Sequence, residues 1–136
     1  MAHWLLKSEP SVYSWQRMVK DGRTHWNGVR NFQARNNMMA MKKGDRAFFY
    51  HSNEGLEIVG IVEIAREFYP DPDDAGGKFG LVDVKALKPL KSPVTLAALK
   101  ADPRFAELGL LRQSRLSVVP VSDAHWKAIC RLGGVE

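Results

Sequence analysis

The sequence predicts an α+β domain built on a small, mostly antiparallel β-barrel. Short runs with strand patterning, bounded by turn signals, alternate with helical patterns inserted between and after them. The length of 136 residues fits one domain, since a second would leave each part near the size at which a core becomes marginal. At 45% hydrophobic and 26% charged residues, the chain has the means to bury that core. Closing the sheet would remove the edges that long apolar strands otherwise expose.

The elements follow in order. Residues 3–7, His-Trp-Leu-Leu-Lys, read as an opening strand stopped by Ser8-Glu9-Pro10. Ser14 is placed to cap a helix in which Trp15, Met18 and Val19 fall at i, i+3 and i+4, and Asp21-Gly22 ends it. Residues 24–31 form a polar, aromatic stretch without a clear period. Residues 32–41 predict a helix, although Met38, Met39 and Met41 make no clean stripe. Gly44-Asp45 turns into a strand over 46–51 that is apolar on both faces for part of its length.

Asn53-Glu54-Gly55 is a tight turn between strands. The next strand sets Leu56, Ile58, Val62 and Ile64 on one face and Glu57 and Glu63 on the other; Gly60 interrupts it as a bulge or bend. Residues 70–77 are an acidic loop, and 79–87 return as a strand. Residues 92–100 and 103–108 read as short helices and 116–121 as a last strand. Ser122 then caps a helix whose apolar face is Trp126, Ile129 and Cys130.

Several function classes are excluded or disfavoured. The single cysteine, Cys130, cannot form an internal disulfide framework or a cysteine-rich zinc module. His3, His25, His51 and His125 are far apart, and no pair has ligand spacing, so no metal or other cofactor is expected. No Gly-rich phosphate loop or G-x-S-x-G elbow is present. The N-terminus has too short an apolar patch for a signal peptide, and no run approaches the length of a membrane helix. A monomeric, cytoplasmic protein with no membrane contact is the expectation.

Charge is unevenly distributed. Residues 1–53 carry nine basic and three acidic residues, residues 54–83 two and eight, and residues 84–136 nine and four, within a net charge of +5. If the outer thirds fold together, the protein has a basic side suited to a polyanion and an acidic side turned away from it.

Three strand-end clusters remain: Lys7-Ser8-Glu9-Pro10, Trp26-Asn27 through Arg30-Asn31, and Tyr50-His51-Ser52-Asn53. Strand ends suit a pocket, because the sheet fixes them while loops let side chains converge. Trp26, in polar company, is either a ligand platform or a plug at one end of the core. A nucleobase would use such a set well. Trp26 or Tyr50 offers stacking, Asn27, Asn31 and Ser52 read the hydrogen-bonding edge, and Lys7, Arg30, Arg35 and Arg115 hold phosphates. Each has a plainer alternative: Arg30 bridging Glu9, or His51 as a satisfied core histidine.

The ordered motifs resemble the EVE domain family. They are residues 4–10 (WLLKSEP) with Tyr13, 26–31 (WNGVRN), 34–36 (ARN), 41–45 (MKKGD), 50–52 (YHS), 58–61 (IVGI), 69–72 (YPDP) and 116–118 (LSV). The resemblance implies a PUA-like fold: a small, partly closed β-barrel with helices packed around it. It also implies recognition of modified DNA bases, such as modified cytosines, and kinship with RNA-binding PUA and YTH domains. The YTH relatives share a Lys-Ser pair after the first strand and a cage tryptophan after the first helix. Those features fall on Lys7, Ser8 and Trp26, with Asn27 where Asp is often expected.

The leading expectation is therefore a non-catalytic reader of a flipped, modified base. One alternative is an enzyme using Glu9 and His51 as acid and base; another is an RNA-binding module.

Overall fold

The computed structural model describes residues 1–135. The chain runs β1 (His3–Ser8), α1 (Trp15–Asp21), β2 (Arg23–Trp26), α2 (Phe32–Ala40), β3 (Arg46–His51), β4 (Glu57–Pro70) and β5 (Gly80–Thr95). It continues with α3 (Leu96–Ala101), a 3-10 turn (Pro103–Phe105), α4 (Gly109–Arg112), β6 (Val118–Val121) and α5 (Asp123–Leu132). The strands form one six-stranded sheet in the order β2-β5-β4-β3-β1-β6. Only β1 and β3 pair in parallel; the other ladders are antiparallel. The expected α+β class holds, and the sheet stays open between its end strands β2 and β6.

Local chemistry starts and stops the helices, at Ser14, Gly22 and Ser122 as expected. Ser14 Oγ accepts from the Arg17 N–H at the start of α1, and Gly22, at φ 74°, lets its N–H return to the Met18 carbonyl. Asn31 caps α2 by accepting from the Ala34 N–H, and Ser122 caps α5 through the His125 N–H.

Several elements differ from the sequence reading, among them the helix expected over 103–108, which is a 3-10 turn at Pro103–Phe105 followed by α4. The stretch after α1 contains β2, which pairs with β5 from Arg23↔Lys85 to Trp26↔Val82. Its alternation is hidden in sequence because Trp26 is its one buried residue. The expected helix over 92–100 begins only at Leu96. Residues to Thr95 continue β5, opposite Ile58 and Glu57, and Thr95 then caps α3. Val94 and Thr95 are β-branched and favour the extended strand over a helix here. The last strand is also shorter than expected, starting at Val118.

The doubly apolar β3 has a physical reason. Phe48 stacks on Trp126 of α5 at 4.0 Å, while Phe49, on the opposite face, meets Trp15 of α1 at 5.4 Å and Trp26 of β2 at 5.7 Å. Gly60 is where β4 bulges: its partner on β3 is Phe49 while Ile58 opposes Tyr50, leaving Val59 unpaired on that side. A methyl group at Gly60 would lie 2.4 Å from the Trp15 indole. The glycine therefore also admits α1 onto the sheet.

The simple division into a basic and an acidic side does not hold. Acidic residues of β4, β5 and their connecting loop pair with basic residues from both outer thirds: Asp83 with Arg23, Asp71 with Arg30, and Glu63 with Lys85. Sheet pairing interleaves β5 with β2 and brings the acidic loop against the residues preceding α2.

Candidate functional site

A cavity of about 480 Å³ opens where β1, β2 and the turn before α1 end together. Its lining is Lys7, Ser8, Glu9, Val12, Tyr13, Thr24, His25, Trp26, Asn27 and Gly28. The turn is fixed by backbone bonds from Val12 and Tyr13 to the Glu9 carbonyl, and by Ser8 Oγ donating to the Tyr13 carbonyl. On the opposite wall, Gly28 has φ 77°, a left-handed conformation that favours glycine and turns the chain away after Asn27.

Trp26 forms the floor. It is 8% exposed, and its ring is held edge-on between Tyr13 at 6.4 Å and Phe49 at 5.7 Å. It is thus a core residue that also lines the cavity. The Tyr13 hydroxyl donates to Asp21 Oδ2 at 2.8 Å, and burial, reinforced by that carboxylate, raises its pKa. Tyr13 is therefore a neutral donor committed to α1. Lys7 is half-buried, which lowers its pKa, and its Nζ donates to the Ser114 carbonyl at 2.8 Å.

The structure brings Lys7, Ser8, Glu9, Trp26 and Asn27 into this one cavity. It does not bring Tyr50, His51 or Ser52 to the lining. Tyr50 is 2% exposed and points to the face of β3 opposite Phe49, hence away from Trp26. His51 lies under α1, where Nε2 accepts the Trp15 N–H at 3.0 Å. That bond requires an unprotonated Nε2, and burial, only partly opposed by Glu57, lowers the pKa. Ser52 meets Ser8 through its backbone, donating its N–H to the Ser8 carbonyl at 2.9 Å. Glu9 and His51 are thus not lining partners of one cavity, contrary to the acid–base pair considered from sequence. Treating residues 50–52 as one cluster overlooked the alternation of the strand.

Arg30 does not bridge Glu9. Its guanidinium lies 3.9 Å from Asp71, over the Phe79 ring, and donates to the Val29 carbonyl. Arg35 donates to the Lys78 carbonyl and covers Phe32. Asn31 and Arg115 line a second, shallower depression of about 370 Å³ with Gln33, Gln113, Ser114 and Leu116. Sequence reasoning missed Val12, Tyr13, Thr24, His25 and Gly28 as lining residues. For Thr24 and His25 the usable signal was the unrecognised strand β2; for Gly28 it was its place directly after Trp26-Asn27. Among the described residues no group of three or more His, Cys, Asp or Glu could hold a metal ion. No helix among them is long and apolar enough to cross a membrane.

Comparison with known proteins places this architecture. Human thymocyte nuclear protein 1 is 31% identical, in an alignment that covers 96% of this chain and 73% of that protein. A solution structure from Rhodopseudomonas palustris is 61% identical with a TM-score of 0.94, covering 98% of this chain and 94% of that one. The human THYN1 protein, solved in complex with DNA containing 5-methylcytosine, is 32% identical with a TM-score of 0.86, covering 100% and 99% of the two chains. The fold is also like that of a YTH domain from Zygosaccharomyces rouxii, at a TM-score of 0.57 and 15% identity. The EVE domain matches residues 2–132, and this chain belongs to the EVE domain family.

Proposed function

We propose that this protein is a non-catalytic module that reads a modified base of DNA, turned out of its strand, in the cavity floored by Trp26. One observation carries the reading. A base-sized, polar-walled cavity with an aromatic floor occurs in a chain matched along its whole length by human THYN1, whose structure contains 5-methylcytosine DNA. Trp26 supplies apolar area to a planar ligand, and its edge-on clamping keeps that surface fixed before binding. Asn27 and Ser8 supply donors and acceptors for the base edge, and Lys7 a positive charge at the wall. Tyr50, His51 and Ser52 act from behind, by holding β3 and α1 in place.

Extruding a base costs a few kcal/mol, less where pairing is already weak, so the condition of the nucleotide contributes to selection. Phosphates on either side of the extruded base are held by Arg30 and Arg35, and further along the strand by Arg115. For the first two this means exchanging the present contacts with Asp71 and the Lys78 carbonyl for phosphate oxygens. A guanidinium has donors enough to make that exchange stepwise. The protein works as a monomer in the cytoplasm on this reading.

The test is a nuclear magnetic resonance titration with 5-methyl-2′-deoxycytidine monophosphate and its unmethylated counterpart. The expected result is a set of shifts confined to the amides of residues 7–9, 12–13 and 24–28. Shifts centred on β6 and α5 instead would refute the assignment. An RNA oligonucleotide carrying the same modified base, bound more tightly than its DNA equivalent, would overturn the choice of DNA.

A further inference from the structure

We propose that the depression between the start of α2 and the Gln113–Leu116 turn is a second nucleotide subsite, holding the neighbour of the base read above Trp26. The inference rests on the base-reading proposal for the occupant of the first cavity.

The two cavities share a wall. Lys7 lines the first, and its Nζ bonds the carbonyl of Ser114, which lines the second. They are thus separated by one lysine side chain, a reach comparable with a single nucleotide step. The second depression, about 370 Å³, is large enough for a base.

Its walls are held from behind. The Lys7 N–H donates to the Ser117 carbonyl, and the Leu116 N–H donates to the Gln113 carbonyl. Asn37 Nδ2 reaches across from α2 to the Val118 carbonyl at 2.7 Å. A site fixed in this way loses little freedom when a ligand enters.

The lining chemistry fits a nucleotide. Arg115 is exposed and makes no ion pair or hydrogen bond among the described residues, so its guanidinium is available to a phosphate. Gln33 Nε2 donates to Gln113 Oε1 at 2.8 Å. That bond leaves Gln33 Oε1 free to accept and Gln113 Nε2 free to donate, on two residues that line the depression. Every nucleobase presents a donor next to an acceptor on one of its edges, so the amide pair holds a base without choosing among bases. The subsite therefore adds affinity and polarity along the strand more than sequence preference.

The experiment compares 5-methyl-2′-deoxycytidine monophosphate with the two dinucleotides that add a thymidine on its 5′ or its 3′ side. Affinities are read by resonance titration of the full chain. One dinucleotide, and not the other, is expected to bind about tenfold more tightly than the mononucleotide, because the second contact becomes intramolecular. Gln113→Ala should remove most of that gain while leaving mononucleotide affinity intact, and Arg115→Ala should reduce it further. If neither dinucleotide gains, or the gain survives in the Gln113→Ala/Arg115→Ala double variant, the subsite is refuted. The same series run with unmethylated cytosine separates the two claims. Equal mononucleotide affinities would sink base reading alone, whereas the gain from the added nucleotide tests the subsite in either series.

Discussion

Gly60→Ala is a one-methyl change whose effect is fixed by three rigid atoms. A Cβ at Gly60 would stand 2.4, 2.5 and 2.6 Å from Cζ2, Cη2 and Cε2 of Trp15. Favourable carbon–carbon contact begins near 3.5 Å, so the indole would have to retreat by about 1 Å. It has little freedom to do so. The ring leans on Phe49 at 5.4 Å, and the Trp15 backbone N–H is held by His51 Nε2 at 3.0 Å. Phe49 in turn contacts Trp26 at 5.7 Å, so the displacement is passed towards the floor of the cavity. Overpacking of this kind costs roughly 1–3 kcal/mol. At about 4 °C per kcal/mol for a chain of this size, thermal unfolding should fall by roughly 4–12 °C, measured by circular dichroism or calorimetry. Gly28→Ala is the matched control. Its Cβ would meet nothing within 4 Å, so only the left-handed backbone is strained, at about 1 kcal/mol. A Gly60→Ala protein that melts within a degree of the wild type would show that α1 does not press on β4 as described.

Other outcomes follow from the same geometry. Trp26→Phe preserves an apolar floor and the fold, but reduces stacking area; affinity for a modified-base oligonucleotide should fall by about 1 kcal/mol, read by fluorescence anisotropy. His51 titrates in the opposite sense to a salt-bridged histidine. Its folded-state pKa lies below the ordinary 6.5, so its neutral form stabilises the fold fully above that pH. That contribution is lost as pH falls through the lowered value. Melting temperature should therefore decline on acidification from about pH 7 to about pH 5, and His51→Gln should flatten that slope. The carboxylates with lowered pKa values, Asp21, Asp74, Asp83 and Asp102, lose their stabilising effect only in more acidic solution. Binding of DNA should weaken linearly in log affinity against log salt, and Arg35→Ala should reduce that slope by about 1. An unchanged slope would remove Arg35 from the phosphate contacts.

Much of the fold was legible because its signals are local. Ser14 and Ser122 cap helices through their own side chains, and Gly22 ends one through its own backbone. The part of the candidate cavity on β1 and at Trp26-Asn27 was legible for the same reason, since polar residues there end strands. What stayed hidden depends on partners distant in the chain. Strand β2 is recognisable only through β5, sixty residues away, because a single buried residue carries no period. The pairing of Arg30 with Asp71 and of Arg23 with Asp83 follows from sheet order, which charge counting along the chain cannot supply. Tyr50 and His51 were assigned together as neighbours, although consecutive residues of a strand face opposite ways. Gly60 was readable as a bulge, while the indole that requires it there belongs to a helix forty-five residues earlier.

The central claim is tested most directly by the equilibrium affinity of the wild-type protein for two otherwise identical DNA duplexes, one carrying a single 5-methylcytosine. Reading a modified base in the Trp26 cavity predicts tighter binding of the modified duplex, with the preference lost in Trp26→Ala protein that is shown to remain folded. Equal affinities for the two duplexes, or a preference untouched by that substitution, would contradict it.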